Sequence, residues 1–188
     1  IIGGTGIDEM DCFAGESTTT VRTRFGCAEI VEGRIAEHDI LFVPRHGTAH
    51  SVPPSQINYR AQVAALRKLD VGAVIGICAV GSLKTDLPAG SFAVLSDFMD
   101  FTRRRIDTFF DSEDGPVVHT DFTEPYCPIM SNVLRQSCSD AGAAYEPTAT
   151  YVGVEGPRYE TPAEIRLYAS WGGHVIGMTN LPEVVLAR

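Results

Sequence analysis

Apolar, β-branched runs at residues 40–43, 73–78, 92–96, 149–154 and 174–178 alternate along this chain with segments of helical period. Repeated switching between a period of 2 and a period of 3.6 predicts strands alternating with helices that cover a sheet. Residues 55–69 place Ile57, Ala61, Ala65 and Leu69 on one i, i+4 row, which predicts an amphipathic helix. A second helix is expected over residues 128–141, with Pro128 in its first turn and the rows Ile129/Val133 and Met130/Leu134/Cys138 facing inward. The third is marked by Thr161-Pro162-Ala163-Glu164: an N-cap threonine, a proline at the first helical position and a glutamate three residues after the cap form a capping box. The fold class expected is α/β, a central sheet flanked by helices on both faces. Residues 14–43 suit short antiparallel strands, so the sheet is expected to be mixed. No repeat or low-complexity linker divides the chain, and residues 111–115 read as an exposed loop inside a single domain spanning 1–188.

The 188 residues, 44% of them hydrophobic, suffice to enclose a core. A net charge of −9 argues against nucleic acid or an anionic membrane as partner, because both require basic patches. An anionic small substrate must then be held by local arginines. The five cysteines are scattered and never form a CxxC pair, which suggests neither a disulfide framework nor a zinc site and fits a reducing cytoplasm. No apolar run approaches the roughly 18 residues of a membrane helix, so a soluble, cytoplasmic protein is expected.

Chemistry-bearing residues cluster where strands give way to helices, the places where α/β proteins hold small ligands. Gly3-Gly4-Thr5-Gly6 leaves backbone N–H groups unshielded and adds a hydroxyl, a combination able to wrap a phosphate. A glycine-rich turn is more often only a tight turn, and the spacing of a dinucleotide-binding GxGxxG is absent, which disfavours an NAD-dependent oxidoreductase. Arg45-His46 follows an apolar run, and a guanidinium there can grip phosphate through two parallel hydrogen bonds; the bland alternative is a surface ion pair beside a structural histidine. Cys78-Ala79-Val80-Gly81-Ser82 admits a ligand close to its backbone, with Cys78 read as an inert small hydrophobe. In Glu155-Gly156-Pro157-Arg158-Tyr159-Glu160, Tyr159 offers a flat face for a planar base and Glu160 can accept hydrogen bonds from ring N–H donors, or simply complement a helix N-terminus. Met178-Thr179 offers a thioether to pack under a sugar and a hydroxyl for phosphate, although a core methionine is the commoner case.

Together and in this order, these segments resemble the trimeric purine nucleoside phosphorylases, in particular the methylthioadenosine/methylthioinosine phosphorylase branch, and the likeness runs through essentially the whole chain. The resemblance implies phosphate binding by Thr5, Arg45, His46, Ala79 and Thr179. It implies nucleoside binding by Tyr159, Glu160, Met178 and by His119 reaching in from a neighbouring subunit, and hence a homotrimer or a dimer of trimers. The implied reaction is phosphorolysis of a purine nucleoside or 5′-methylthionucleoside, with inorganic phosphate as co-substrate and no metal or organic cofactor. Cys78 stands where the family has a hydroxyl residue or an asparagine. Glu160 stands where adenine-specific members have serine, and a glutamate there pairs with the N1–H that 6-oxopurines carry and adenine lacks. The preference therefore leans to methylthioinosine, inosine and guanosine, with methylthioadenosine as the alternative substrate. Family members continue with a strand, a loop that contacts the purine N7 edge, and a final helix. The chain is accordingly expected to be C-terminally incomplete, no catalytic residue is assigned within it, and an inactive nucleoside-binding protein is the alternative class.

Overall fold

The computed structural model of the chain describes residues 1–4, 13–47, 51–111 and 115–188. Its strands are β1 (Ile2–Gly3), β2 (Ala14–Thr23), β3 (Gly26–Ile35), β4 (His38–Pro44), β5 (Gly81–Ser82), β6 (Phe92–Asp100), β7 (Tyr145–Gly153) and β8 (Val175–Gly177). Its helices are α1 (Tyr59–Lys68), α2 (Pro128–Asp140), α3 (Pro162–Ser170) and α4 (Glu183–Ala187), with a 3₁₀ turn at Pro54–Gln56.

The expected single sheet is two four-stranded sheets, ordered β1-β4-β3-β2 and β5-β8-β7-β6. Both are mixed. In the first, β1 runs parallel to β4 while β2, β3 and β4 are antiparallel. In the second, β6, β7 and β8 are parallel and β5 is antiparallel to β8. Residues 73–78, expected as a strand, make only an isolated parallel bridge between Gly76 and Ile2. Ile2 donates its N–H to Ile75 O and accepts from Ile77 N–H, each at 2.9 Å. Further along the chain, Gly81 and Ser82 form β5 and pair with β8.

Strand alternation sorts the second sheet into two covered faces, as a period of 2 requires. Tyr151 and Val175 pack with Leu181 and with Val184 and Val185 of α4. Val152, Val154 and Ile176 point the other way, onto Ile165 and Tyr168 of α3. This sheet therefore has helical cover on both sides. On the first sheet, α1 packs against β2 and β3 through Ala65 and Leu66.

The first helix, expected over 55–69, begins later, at Tyr59, because the chain first makes the 3₁₀ turn at Pro54–Gln56 and Asn58 then supplies the cap, which leaves Ile57 ahead of the helix. The Asn58 side chain caps α1 by accepting from Ala61 N–H at 3.0 Å. Ile57, Ala61 and Ala65 are buried, but Leu69, expected on the same row, is 40% exposed. The helix ends at Lys68, and Leu69 is its C-cap ahead of Asp70 in the left-handed region (φ 55°), so the row turns away from the core. In α2, Pro128 lies in the first turn as expected. Its Met130/Leu134/Cys138 row is half-buried, whereas Ile129 and Val133 are 72% and 51% exposed. A single helix face is in contact with β6 and β7, and the second apolar row lies beyond it.

The capping box of α3 is complete. Thr161 Oγ accepts from Glu164 N–H at 3.2 Å, and Glu164 Oε2 accepts from Thr161 N–H at 2.7 Å. Thr161→Ala removes one half of this exchange and is expected to lower stability by about 1 kcal/mol, read as a shift of the urea midpoint at unchanged slope.

Candidate active site

The carboxyl ends of β4, β7 and β8 come together around one buried ion pair. Arg45 follows β4 directly, and its N–H donates to Gly3 O at 2.8 Å, fixing it beside β1. Its guanidinium is 1% exposed. Nε donates to Glu183 Oε2 at 2.7 Å and Nη2 to Glu183 Oε1 at 3.0 Å. Nη1 donates to Ile77 O at 3.0 Å and Nη2 to Ile2 O at 3.3 Å. Burial by itself lowers an arginine's pKa, but here the charge and hydrogen bonds of Glu183 outweigh it and hold Arg45 above its ordinary value. The carboxylate fits because position 76 is glycine: a Cβ there lies 2.6 Å from Glu183 Oε1.

The fork expected to grip phosphate therefore faces Glu183, and the surface ion pair weighed as its alternative is a buried one. Four of the five guanidinium N–H groups are engaged by Glu183, Ile2 and Ile77, which leaves one on Nη1. Nη1 lies 3.1 Å from where a Gly4 side chain begins, and the His46 ring edge approaches the same point, Cδ2 at 3.3 Å and Nε2 at 3.5 Å. His46 is buried, with Nδ1 2.7 Å from Val52 O. A carbonyl only accepts, so Nδ1 carries the proton and Nε2 faces the glycine turn. Gly4 thus lets the backbone pass close to both an arginine and a histidine, where any side chain would be crowded. Thr5, expected beside it, lies outside the described residues, as do Thr48, Ala49 and His50.

Cys78 joins this cluster through a hydrogen bond to the Thr179 side chain and through the charges of Arg45 and Glu183. Burial, outweighing Arg45, pushes its thiol up to about 11. Ala79 follows, exposed. Thr179 and Asn180 are buried in the turn after β8. The Tyr151 hydroxyl oxygen accepts from both of their N–H groups, at 3.2 and 3.3 Å. It reaches them across Gly177, where a Cβ lies 2.6 Å from that oxygen. Tyr126 Oη donates to Asn180 Oδ1 at 2.6 Å.

Met178, in the same turn, packs its sulfur onto Gly156, which adopts φ +65° and has no space for a Cβ. This contact links the turn after β8 to the segment after β7. Glu155 there accepts at Oε2 from the N–H groups of Arg103 (2.7 Å) and Arg104 (3.3 Å). Glu160 is half-buried and lines a cleft of about 340 Å³ with Phe101, Arg103, Arg104, Arg158 and Tyr168. Tyr159 is 86% exposed. His119 is exposed on an irregular segment.

The structure thus unites Arg45, His46, Cys78 and Thr179 in one cluster and joins Met178 to the segment bearing Tyr159 and Glu160. Sequence reasoning missed Glu183, Tyr151 and Arg105. Glu183 carried one signal, a lone acid heading the apolar run Val184-Val185-Leu186; Arg105 was hidden in the run Arg103-Arg104-Arg105. Among the described residues, no group of three or more His, Cys, Asp or Glu side chains is placed to hold a metal ion, and no helix is long and apolar enough to cross a membrane.

Fold and site define an α/β protein that gathers Arg45, His46 and Thr179 at the carboxyl ends of its strands, the place where proteins of this class hold small ligands. The chain belongs to the phosphorylase superfamily, whose profile matches residues 1–188. It is 43% identical to the 6-oxopurine nucleoside phosphorylase of Pyrococcus furiosus, covering all of this chain and 72% of that protein. It is 45% identical to a protein of Methanocaldococcus jannaschii named "Probable S-methyl-5'-thioinosine phosphorylase", covering all of this chain and 71% of that one. Among solved structures, the apo methylthioadenosine phosphorylase of Schistosoma mansoni superposes with a TM-score of 0.93 at 33% identity, over 99% of this chain and 74% of that one. The nucleoside phosphorylase fold expected from the sequence is present.

A thiol near 11 is ionised to about one part in a thousand at pH 8. Iodoacetamide at that pH is expected to label the exposed Cys27 and Cys127 and to spare Cys78 until the chain unfolds, as read by peptide mapping. Because the folded-state value lies above the ordinary 9.0, the stability that depends on a neutral Cys78 is intact below about 9 and is lost as pH rises toward 11.

Proposed function

We propose that the protein catalyses phosphorolysis of purine nucleosides or their 5′-methylthio analogues, with a preference for 6-oxopurines. The observation that carries this reading is the likeness, along the whole chain, to proteins named 6-oxopurine nucleoside phosphorylase and S-methyl-5'-thioinosine phosphorylase. Glu160 supports the base preference, since a carboxylate on the cleft accepts from the N1–H of hypoxanthine or guanine, whereas adenine N1 is itself an acceptor.

In this reading a phosphate oxygen attacks the anomeric carbon while the bond to the purine nitrogen breaks, and the bonding electrons leave with the base. The sugar passes through an oxocarbenium-like state. Phosphate sits at the Gly4 turn, held by the remaining Nη1–H of Arg45, by His46, by the Thr179 hydroxyl, by backbone N–H at Ala79 and by Thr5. Met178 lies against the ribose, Tyr159 and Glu160 against the base, and His119 comes from a neighbouring subunit of a homotrimer or a dimer of trimers.

The buried ion pair gives this site an unusual electrostatic balance. Glu183 neutralises the charge of Arg45, so the subsite presents oriented donors without the full positive charge of a free arginine. A phosphate dianion held there keeps more of its own field for the cationic sugar forming beside it, a stabilisation that grows only as the transition state develops. No metal or organic cofactor is assigned a role, and the location is taken as cytoplasmic.

The deciding assay offers methylthioinosine, inosine and methylthioadenosine with and without phosphate. Phosphate-dependent hypoxanthine release from the first two, with little adenine from the third, is expected; no phosphate-dependent release from any of them sinks the reading. Glu160→Gln removes a charged acceptor and is expected to lower kcat/KM for inosine by about 10- to 100-fold. Equal losses on inosine and methylthioadenosine count against the assigned contact.

A further inference from the structure

Among the described residues Arg105, like Arg45, has a buried guanidinium, its side chain only 2% exposed, and the phosphorolysis reading gives it no contact with phosphate or base. It leaves the segment after β6 and ends among backbone oxygens. Nη2 donates to Val154 O at 3.2 Å and Glu155 O at 2.8 Å, both after β7. Nη1 donates to Met178 O and Leu181 O, both after β8, and contacts the Tyr59 hydroxyl of α1 at 3.3 Å. Its nearest carboxylate, Glu155 Oε1, is 3.5 Å from Nε. Four carbonyls thus converge on one cation from the ends of two neighbouring parallel strands.

A planar fork with donors on both terminal nitrogens can span two chain segments at a set separation, which an ammonium point charge cannot do. The segments so tied carry Met178 on one side and, past Gly156, Tyr159 and Glu160 on the other. Glu155 reinforces the tie by accepting from Arg103 and Arg104 N–H, so the segment that delivers Arg105 is anchored to the one it clamps. The phosphate cluster is fastened differently: Arg45 through β1, residue 77 and Glu183, His46 through Val52, and Thr179 N–H through Tyr151.

We propose that Arg105 is a positioning residue that sets the spacing between the sugar-facing turn at Met178 and the base-facing segment at Tyr159 and Glu160, and so governs nucleoside affinity with little effect on phosphate. This rests on the phosphorolysis reading above. A displacement of about 1 Å between two substrate-contacting segments is enough to weaken productive binding by an order of magnitude or more.

The test compares the unmodified protein with Arg105→Lys and Arg105→Ala, after thermal melts show that each is folded at the assay temperature. Inosine affinity is measured by calorimetry, and KM for inosine and phosphate by steady-state kinetics. Both variants are expected to bind inosine on the order of ten-fold more weakly with phosphate KM within about two-fold, and millimolar methylguanidinium is expected to restore part of the loss in Arg105→Ala. Lowered melting temperature with inosine affinity unchanged makes Arg105 mere fold support and overturns the proposal, as does an equal rise in both KM values. If neither arginine variant folds, Tyr59→Phe, which removes one partner without touching charge, is expected to weaken inosine binding about two- to three-fold; unchanged affinity overturns the proposal. If the unmodified protein binds inosine but releases no base, the phosphorolysis reading fails and Arg105 is judged on the binding shift alone. Absence of inosine binding overturns both.

Discussion

The bidentate pair between Arg45 and Glu183 joins residues 138 apart in sequence, and the candidate site is assembled around it. Taking a guanidinium and a carboxylate out of water is expensive, and their attraction compensates only when geometry is good and the remaining donors are satisfied. Both conditions hold: two short parallel contacts join the charges, and carbonyls of residues 2 and 77 take further N–H groups. Losing either partner strands a buried charge, at a cost of about 3–5 kcal/mol. The pair therefore specifies where β1, the segment at 75–77, the end of β4 and the start of α4 meet. The close approach of Gly4 to Arg45 and His46 follows from the meeting of those segments.

A second set of polar contacts fixes the turn after β8. Its carbonyls go to Arg105, its N–H groups to the Tyr151 hydroxyl and the Asn180 side chain to Tyr126. Burial raises Tyr151 well above its ordinary value, so it remains a neutral phenol at physiological pH and its oxygen can accept two N–H groups without bringing charge into the core. Backbone that neither a helix nor a strand satisfies is thus held by side chains, in the way buried polar groups must be. Met178 is held through its carbonyl by Arg105 and Thr179 through its N–H by Tyr151, which gives substrate contacts the fixed frame that preorganised catalysis requires.

Much of this was legible in the sequence. The capping box at Thr161 and Glu164, the proline at the start of α2, the strand run along 149–154 and the antiparallel strands before residue 44 are set by short-range stereochemistry, and each appears as expected. Leu69, Ile129 and Val133 went otherwise because periodicity gives an apolar row without saying where a helix stops or how many faces meet a neighbour. Residues 73–78, expected as a strand, make a single parallel bridge to Ile2.

The order of motifs by itself determined the family and the fold class, because strand-to-helix junctions carrying glycine, arginine, glutamate and methionine at these intervals are local features written in adjacent residues. It also singled out Arg45, His46 and Thr179, which lie together. Only the tertiary structure decided that the Arg45 fork is spent on Glu183, that Arg105 is the buried member of its arginine run, and that Tyr151 turns its hydroxyl to the turn after β8. Those outcomes depend on which distant segments close over a charge, and the energy that selects the partner, desolvation weighed against pairing, arises only once the chain is packed.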